Sequence, residues 1–247
     1  MADFKIPTET VTLPSKGLLY SKESPLAKGE VEMKYMTARE EDILTNRNYI
    51  INGTWLDKLL KSLIVTPIDY NDLLICDKDA ILIAARTLGY GKEYKVSYNG
   101  KEQTIDLSQL KDKEIDYTLL EKGVNDFEFN LPKTGNSVTF KLLTHADEQK
   151  IDAEIKGLTK INPEGSYDIT TRMKHMITSI NGNRDIKEIH DFVDKALLAP
   201  DARALRTYYN QMSPGIELKF IPDTESYTGE GVEFDLGYNF FWPDTGV

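Results

Sequence analysis

Val31-Glu32-Met33-Lys34-Tyr35-Met36-Thr37-Ala38-Arg39-Glu40-Glu41-Asp42-Ile43-Leu44 is the stretch on which the fold turns. Its first half alternates, with Val31, Met33 and Tyr35 on one face, which is the pattern of a half-buried strand. Thr37 then has the side chain of a helix N-cap, and Glu40 stands three residues later, where a capping box needs it. Glu40, Glu41 and Asp42 suit the positive end of a helix dipole. The same sentence recurs as Val138-Thr139-Phe140-Lys141-Leu142-Leu143-Thr144-His145-Ala146-Asp147-Glu148-Gln149-Lys150-Ile151. Strand, threonine cap, acidic first turn and a late apolar residue follow in one order.

Later landmarks extend the parallel. Asp79-Ala80 to Arg86-Thr87 and Asp201-Ala202 to Arg206-Thr207 each read as a helix followed by a strand region. One such match is a common local solution, and chance stays open beside duplication. A duplication implies an α+β protein of two related lobes of β-hairpins packed with helices, not one sheet of βαβ crossovers. The expected organisation is an extended N-terminal arm over 1–30, a first lobe over 31–123 and a second over 124–247. The arm carries Pro7, Pro14, Pro25, Gly17 and Gly29, yet Val11, Leu13, Leu18, Leu19 and Tyr20 give it apolar residues that a disordered tail would lack. It is expected to dock, on its own lobe or on a partner.

Between these landmarks the periodicity predicts helices over Trp55–Ile64, Asp77–Leu88, Thr144–Lys156, Asp168–Ile180, Ile186–Leu198 and Asp201–Gln211. Asn99-Gly100 between Tyr94–Tyr98 and Lys101–Asp106 predicts a two-residue hairpin pairing Tyr94 with Ile105. Phe127, Phe129 and Leu131, then Val138, Phe140 and Leu142, predict a second hairpin around Pro132 and Gly135. Residues 106–123 read as a short helix plus linker, and Gly215 onward as strand and turn.

Composition narrows function. The 247 residues carry 30 Lys plus Arg against 40 Asp plus Glu, a net charge of −10. A phosphate-gripping protein needs the opposite sign, so direct nucleic-acid binding is not expected. No apolar run approaches a membrane span, and Met1-Ala2-Asp3-Phe4-Lys5 does not open a signal peptide. The single cysteine excludes an internal disulfide and suits a reducing cytosol.

The search for chemistry returns little. His145, Asp147 and Glu148 are the best candidates for a carboxylate/His metal site of a hydrolase or transferase. The competing reading is a dipole-favoured helix start with an exposed histidine. Glu40-Glu41-Asp42 reads as a solvated face, since consecutive helix residues point apart and make a poor cation cage. Cys76 follows Leu73-Leu74-Ile75 and reads as buried and structural. No P-loop, dinucleotide fingerprint or Gly-x-Ser-x-Gly elbow is present. The terminal aromatics, Phe240-Phe241-Trp242-Pro243, lie among acids and suit core closure or a protein interface.

Those same segments carry a resemblance. Leu13-Pro14-Ser15-Lys16-Gly17-Leu18-Leu19-Tyr20 and Met36-Thr37-Ala38-Arg39-Glu40-Glu41-Asp42-Ile43-Leu44-Thr45 resemble the opening of the T4-type bacteriophage baseplate hub and hub-assembly family. Asp72-Leu73-Leu74-Ile75-Cys76-Asp77-Lys78-Asp79, leading through Arg86 to Gly89-Tyr90-Gly91, resembles its middle, and Phe240-Phe241-Trp242-Pro243 its end. Some relatives carry cysteine pairs near the hairpin tip; Ser97-Tyr98-Asn99-Gly100 has none, so no zinc is implied. The resemblance implies a non-catalytic phage protein without cofactors, made in the host bacterial cytoplasm. It would act in hub assembly of a contractile tail, as a virion component of the baseplate or as an assembly chaperone. The implied partners are baseplate hub proteins and the tape-measure protein, and a homo-oligomer is left open. Leu13, Leu18, Tyr20, Phe240, Phe241 and Trp242 are the candidate protein-interface or closure residues.

Overall fold

The computed structural model describes residues 6–224, 227–236 and 238–241. Trp242 lies outside them. Strand β1 (Thr8–Thr12) pairs antiparallel with β2 (Glu30–Lys34), Val11 opposite Val31. The segment read as an arm therefore supplies a strand and a buried loop to the first lobe. Three helices follow, α1 (Ala38–Thr45), α2 (Arg47–Ile51) and α3 (Trp55–Leu63). Then come α4 (Ile75–Tyr90) and the hairpin β3 (Glu93–Tyr98) with β4 (Lys101–Asp106). That hairpin has the register expected from Asn99-Gly100, with Tyr94 opposite Ile105. Both turn residues have positive φ, 49° and 78°, the requirement that selects Asn-Gly. Residues 106–123 form two short 3-10 turns, each opened by an aspartate cap, Asp106 or Asp116.

The second lobe starts with β5 (Phe127–Asn130) and β6 (Ser137–Phe140). Helices α5 (His145–Ile161) and α6 (Asp168–Met176) follow, then β7 (Ile177–Ile180). The helix expected over 168–180 therefore ends early. Ile177-Thr178-Ser179-Ile180 is largely β-branched, and it completes the three-stranded sheet β5-β6-β7. Helices α7 (Ile186–Lys195) and α8 (Ala199–Met212) lead to the short pair β8 (Lys219–Phe220) and β9 (Val232–Glu233).

The two lobes are built on one plan. In each, a strand ends in a Leu-Pro-x-x-Gly loop, Leu13 to Gly17 or Leu131 to Gly135, and returns as the strand that leads to the threonine cap. In each, a lysine at or just after the strand's end, Lys34 or Lys141, pairs with the acid at the third helical position, Glu40 or Asp147, at 2.9 and 2.7 Å. Met33 bridges Ile64 just after α3, and Phe140 pairs with Ile177 just after α6. In each, a Leu-Leu segment precedes a helix with a fully or nearly fully buried aspartate at its third position, Asp77 or Asp201. The sequence pairing of Asp79-Ala80 with Asp201-Ala202 is thus two positions out of register.

Two insertions disguise the plan. Residues 18–28 are extra in the first lobe, and α7 is extra in the second. One apolar cluster runs through both lobes, from Leu13, Met33 and Leu60 to Phe140, Ile151 and Leu205. Among the described residues no helix is long and apolar enough to cross a membrane.

Candidate interaction surface and interlobe junction

The N-terminal loop is tied from inside. Asp77 accepts hydrogen bonds from the Ser15 N–H (2.8 Å), the Ser15 hydroxyl (2.7 Å) and the Tyr20 hydroxyl (2.6 Å). The Tyr20 oxygen in turn accepts from the Leu74 N–H at 3.1 Å. Burial pushes the Asp77 carboxyl up from its ordinary pKa, and its hydrogen bonds only partly oppose that. Burial and the adjacent Asp77 also push the Tyr20 hydroxyl upward. Leu13 and Tyr20 are buried and Leu18 is half-buried against the core.

The C-terminal aromatics close the same lobe. Arg86 donates to the carbonyls of Phe240 (3.0 Å), Gly91 (3.1 Å) and Glu93 (3.3 Å). A guanidinium has several donors in a fixed fork, so one side chain can tie the terminal segment to the stretch that leaves α4. Phe241 packs edge-on to Trp55, and Phe240 to Tyr94. Phe240 and Phe241 are both fully or nearly fully buried. Of the six candidate interface or closure residues, Leu13, Tyr20, Phe240 and Phe241 thus face the protein's own core. Arg206, which with Thr207 ends the corresponding landmark of the second lobe, is exposed and bonds back to Ala202.

His145, Asp147 and Glu148 do not converge. Asp147 turns to Lys141 and to the Thr144 N–H, while Glu148 reaches Lys78 at 3.4 Å. His145 is buried rather than exposed, and its Nε2 lies 3.3 Å from Asp57. Its Nδ1 lies 3.5 Å from the Lys78 ammonium, and its ring packs edge-on to Tyr70. An ammonium group thus sits among the acids where a cation would have to bind. Burial pulls the His145 pKa below its ordinary value; Asp57 opposes that shift and Lys78 adds to it. Among the described residues no three His, Cys, Asp or Glu side chains are placed to hold a metal. The Glu40-Glu41-Asp42 run is not uniformly solvated. Glu40 is fully buried and accepts from Lys34, Ser62 and Thr37, while Glu41 and Asp42 are exposed. Burial would raise its pKa, but those donors hold it down at about 2.

This histidine cluster is the joint between the lobes. Leu74 bridges Thr144, with Ile75 N–H donating to Leu143 O (3.0 Å) and His145 N–H to Leu73 O (2.8 Å). Asp57, Tyr70 and Lys78 come from the first lobe; His145, Glu148 and Gln149 come from the second. Sequence periodicity could not place Asp57 or Lys78 here, because the joint is made between distant helices. The aspartate ties were better marked. Leu-Leu-Ile-Cys-Asp ending at Asp77 and Leu-Leu-Ala-Pro-Asp ending at Asp201 are alike, as are the two Leu-Pro loops.

The second lobe also carries an open groove of about 640 Å³ along α8, lined by Phe129, Ala199, Pro200, Ala204 and Tyr208, with Arg203 at its edge. Leu198 beside it is 48% exposed. No protein-family model, curated protein or solved structure matches this chain.

Proposed function

We propose that this chain is a non-catalytic protein of the contractile-tail baseplate hub of a bacteriophage, acting in hub assembly with hub proteins and the tape-measure protein. The supporting observation is where the segments that carry the resemblance meet. The 13–20 loop, the 72–79 segment, the 86–91 helix end and the terminal aromatics are remote in sequence. They are joined by Ser15 and Tyr20 on Asp77 and by Arg86 on the Phe240 and Gly91 carbonyls. Residues that hold one another in a core form a fold signature, and such a signature favours a family likeness over coincidence. The polar side chains considered for catalysis are engaged in joints and helix caps, which favours a partner-binding role over a hydrolase or transferase.

Co-expression of the full chain with hub and tape-measure proteins encoded beside it tests the proposal. A stoichiometric complex is expected to co-purify, and mass spectrometry of finished particles then separates a virion component from a chaperone. Failure to bind any of them would overturn the reading. So would stoichiometric metal in the purified protein that is lost on His145→Ala.

A further inference from the structure

We propose that this chain associates head to tail with a second copy of itself, Leu197-Leu198-Ala199 of one copy pairing with Met36-Thr37-Ala38 of the next. The inference is independent of the hub reading. The joint between the lobes supplies the pattern. There, Leu73-Leu74-Ile75 of the first lobe is covered by Leu143-Thr144-His145 of the second, through two backbone hydrogen bonds. Both partners in that joint have counterparts in the other lobe. Leu197-Leu198-Ala199 precedes α8 as Leu73-Leu74-Ile75 precedes α4, and Met36-Thr37-Ala38 opens α1 as Leu143-Thr144-His145 opens α5.

Neither counterpart is covered. Leu74 is 1% exposed, whereas Leu198 is 48% exposed. His145 is buried, whereas Ala38 is exposed. Among the described residues, the Ala38 and Ala199 N–H groups and the Met36 and Leu197 carbonyls make no hydrogen bond with another residue. These are the four groups whose counterparts make the interlobe pair. A chain that uses this pairing once inside itself, and leaves both halves of it free at opposite lobes, is complementary to a second copy.

Charge and shape agree. Across the internal joint Lys78 on α4 reaches Glu148 on α5. At the free edges Glu41 stands where Glu148 stands, and the exposed Arg203 of α8 lies one position beyond the counterpart of Lys78. The apolar groove along Ala199, Pro200 and Ala204 adjoins this edge and gives the contact area to exclude water from. Because each copy offers one edge of each kind, the contact is heterologous. It builds a ring if the rotation closes and an open chain if it does not.

Sedimentation of the full chain over a concentration series tests this. The chain is expected to form species larger than a monomer, and Leu198→Asp and Ala38→Arg are each expected to weaken association at least about tenfold. Both side chains are exposed, so unchanged thermal unfolding would show that each variant is folded. Mixing the two variants is the decisive arm. Each keeps the edge that the other has lost, so the mixture is expected to stop at a heterodimer. A chain that stays monomeric at every concentration overturns the proposal. Association that both variants retain, or a mixture that forms no heterodimer, overturns it equally.

Discussion

The two lobes solve one problem with different chemistry. Each must pin a Leu-Pro loop onto the start of a helix that carries a buried aspartate. The first lobe uses Asp77 on Ser15 and on the Tyr20 hydroxyl, which belongs to the inserted 18–28 segment. The second uses Asp201 on the Lys133 N–H (2.7 Å), the Thr134 N–H (3.1 Å) and the Thr134 hydroxyl (2.9 Å), with no insertion to hold. One carboxylate thus supports a long detour in the first lobe and a tight turn in the second. Removing it should therefore cost more in the first. Asp77→Ala strands a hydroxyl pair and an N–H in a buried site, a loss of about 4 kcal/mol, against about 2–3 for Asp201→Ala at its partly exposed loop. Asp77→Asn should cost much less than Asp77→Ala, because it keeps an acceptor and relieves the burial of charge. Denaturant unfolding of the four proteins checks the order, and equal losses at Asp77 and Asp201 would break the comparison.

The loop glycines sharpen it. Gly17 and Gly135 share nearly the same backbone, with φ of 73° and 72°. A Cβ on Gly17 would meet the Ala27 carbonyl and the Gly29 N at 2.6 Å, because the inserted segment closes over it. Nothing lies within 4 Å of the same atom on Gly135. Gly17→Ala should cost about 3 kcal/mol or more, since backbone must move, while Gly135→Ala should cost only the positive-φ penalty of about 1 kcal/mol. Thermal unfolding separates the two, and an equal shift would mean that the 18–28 segment moves aside freely.

The helix caps give a smaller contrast. Glu40 is fully buried and gathers Lys34, Thr37 and Ser62, whereas Asp147 gathers Lys141 and Thr144 and keeps slight exposure. Glu40→Ala is expected to lose about 2–3 kcal/mol and Asp147→Ala about 1–2, read from denaturant midpoints. Charge-neutral Glu40→Gln should recover part of the loss through its amide oxygen.

These contrasts also show what sequence could carry. Capping boxes are local, so Thr37/Glu40 and Thr144/Asp147 are visible as short spacings, and Asn99-Gly100 states its own turn. Helix ends are less visible. The β-branched run after Met176 only weakens the helix there; the waiting edge of β6 is what stops α6. The repeat was half hidden because each lobe has its own insertion, so no single offset aligns all the landmarks. The buried role of Phe240 and Phe241 was among the expected alternatives, but Arg86 as their anchor was not. Its three acceptors are backbone carbonyls, which leave no mark in side-chain patterns. The interlobe joint was least visible of all, because His145, Asp57 and Lys78 meet only after both lobes have folded.

That joint sets the smallest and most specific expectation, since the first lobe has Ala38 where the second has His145. Burial lowers the His145 pKa in the folded protein, and Lys78 facing Nδ1 reinforces the neutral ring. The unfolded chain binds this proton more readily, near the ordinary value of about 6.5. Stability from the neutral ring is therefore fully present above that value and falls as pH drops through it towards the lowered folded pKa. Glu40 and Asp147 act in a separate, more acidic window, because their pKa values are held down and their contribution is lost only below the ordinary carboxylate range. Between about pH 7.5 and 5 the native chain should thus lose more in its thermal midpoint than His145→Gln does, because buried Asp77, with its raised pKa, acts equally in both, while the two share the acid limb below about pH 4. A slope unchanged by His145→Gln would overturn this assignment of the decline to the buried ring.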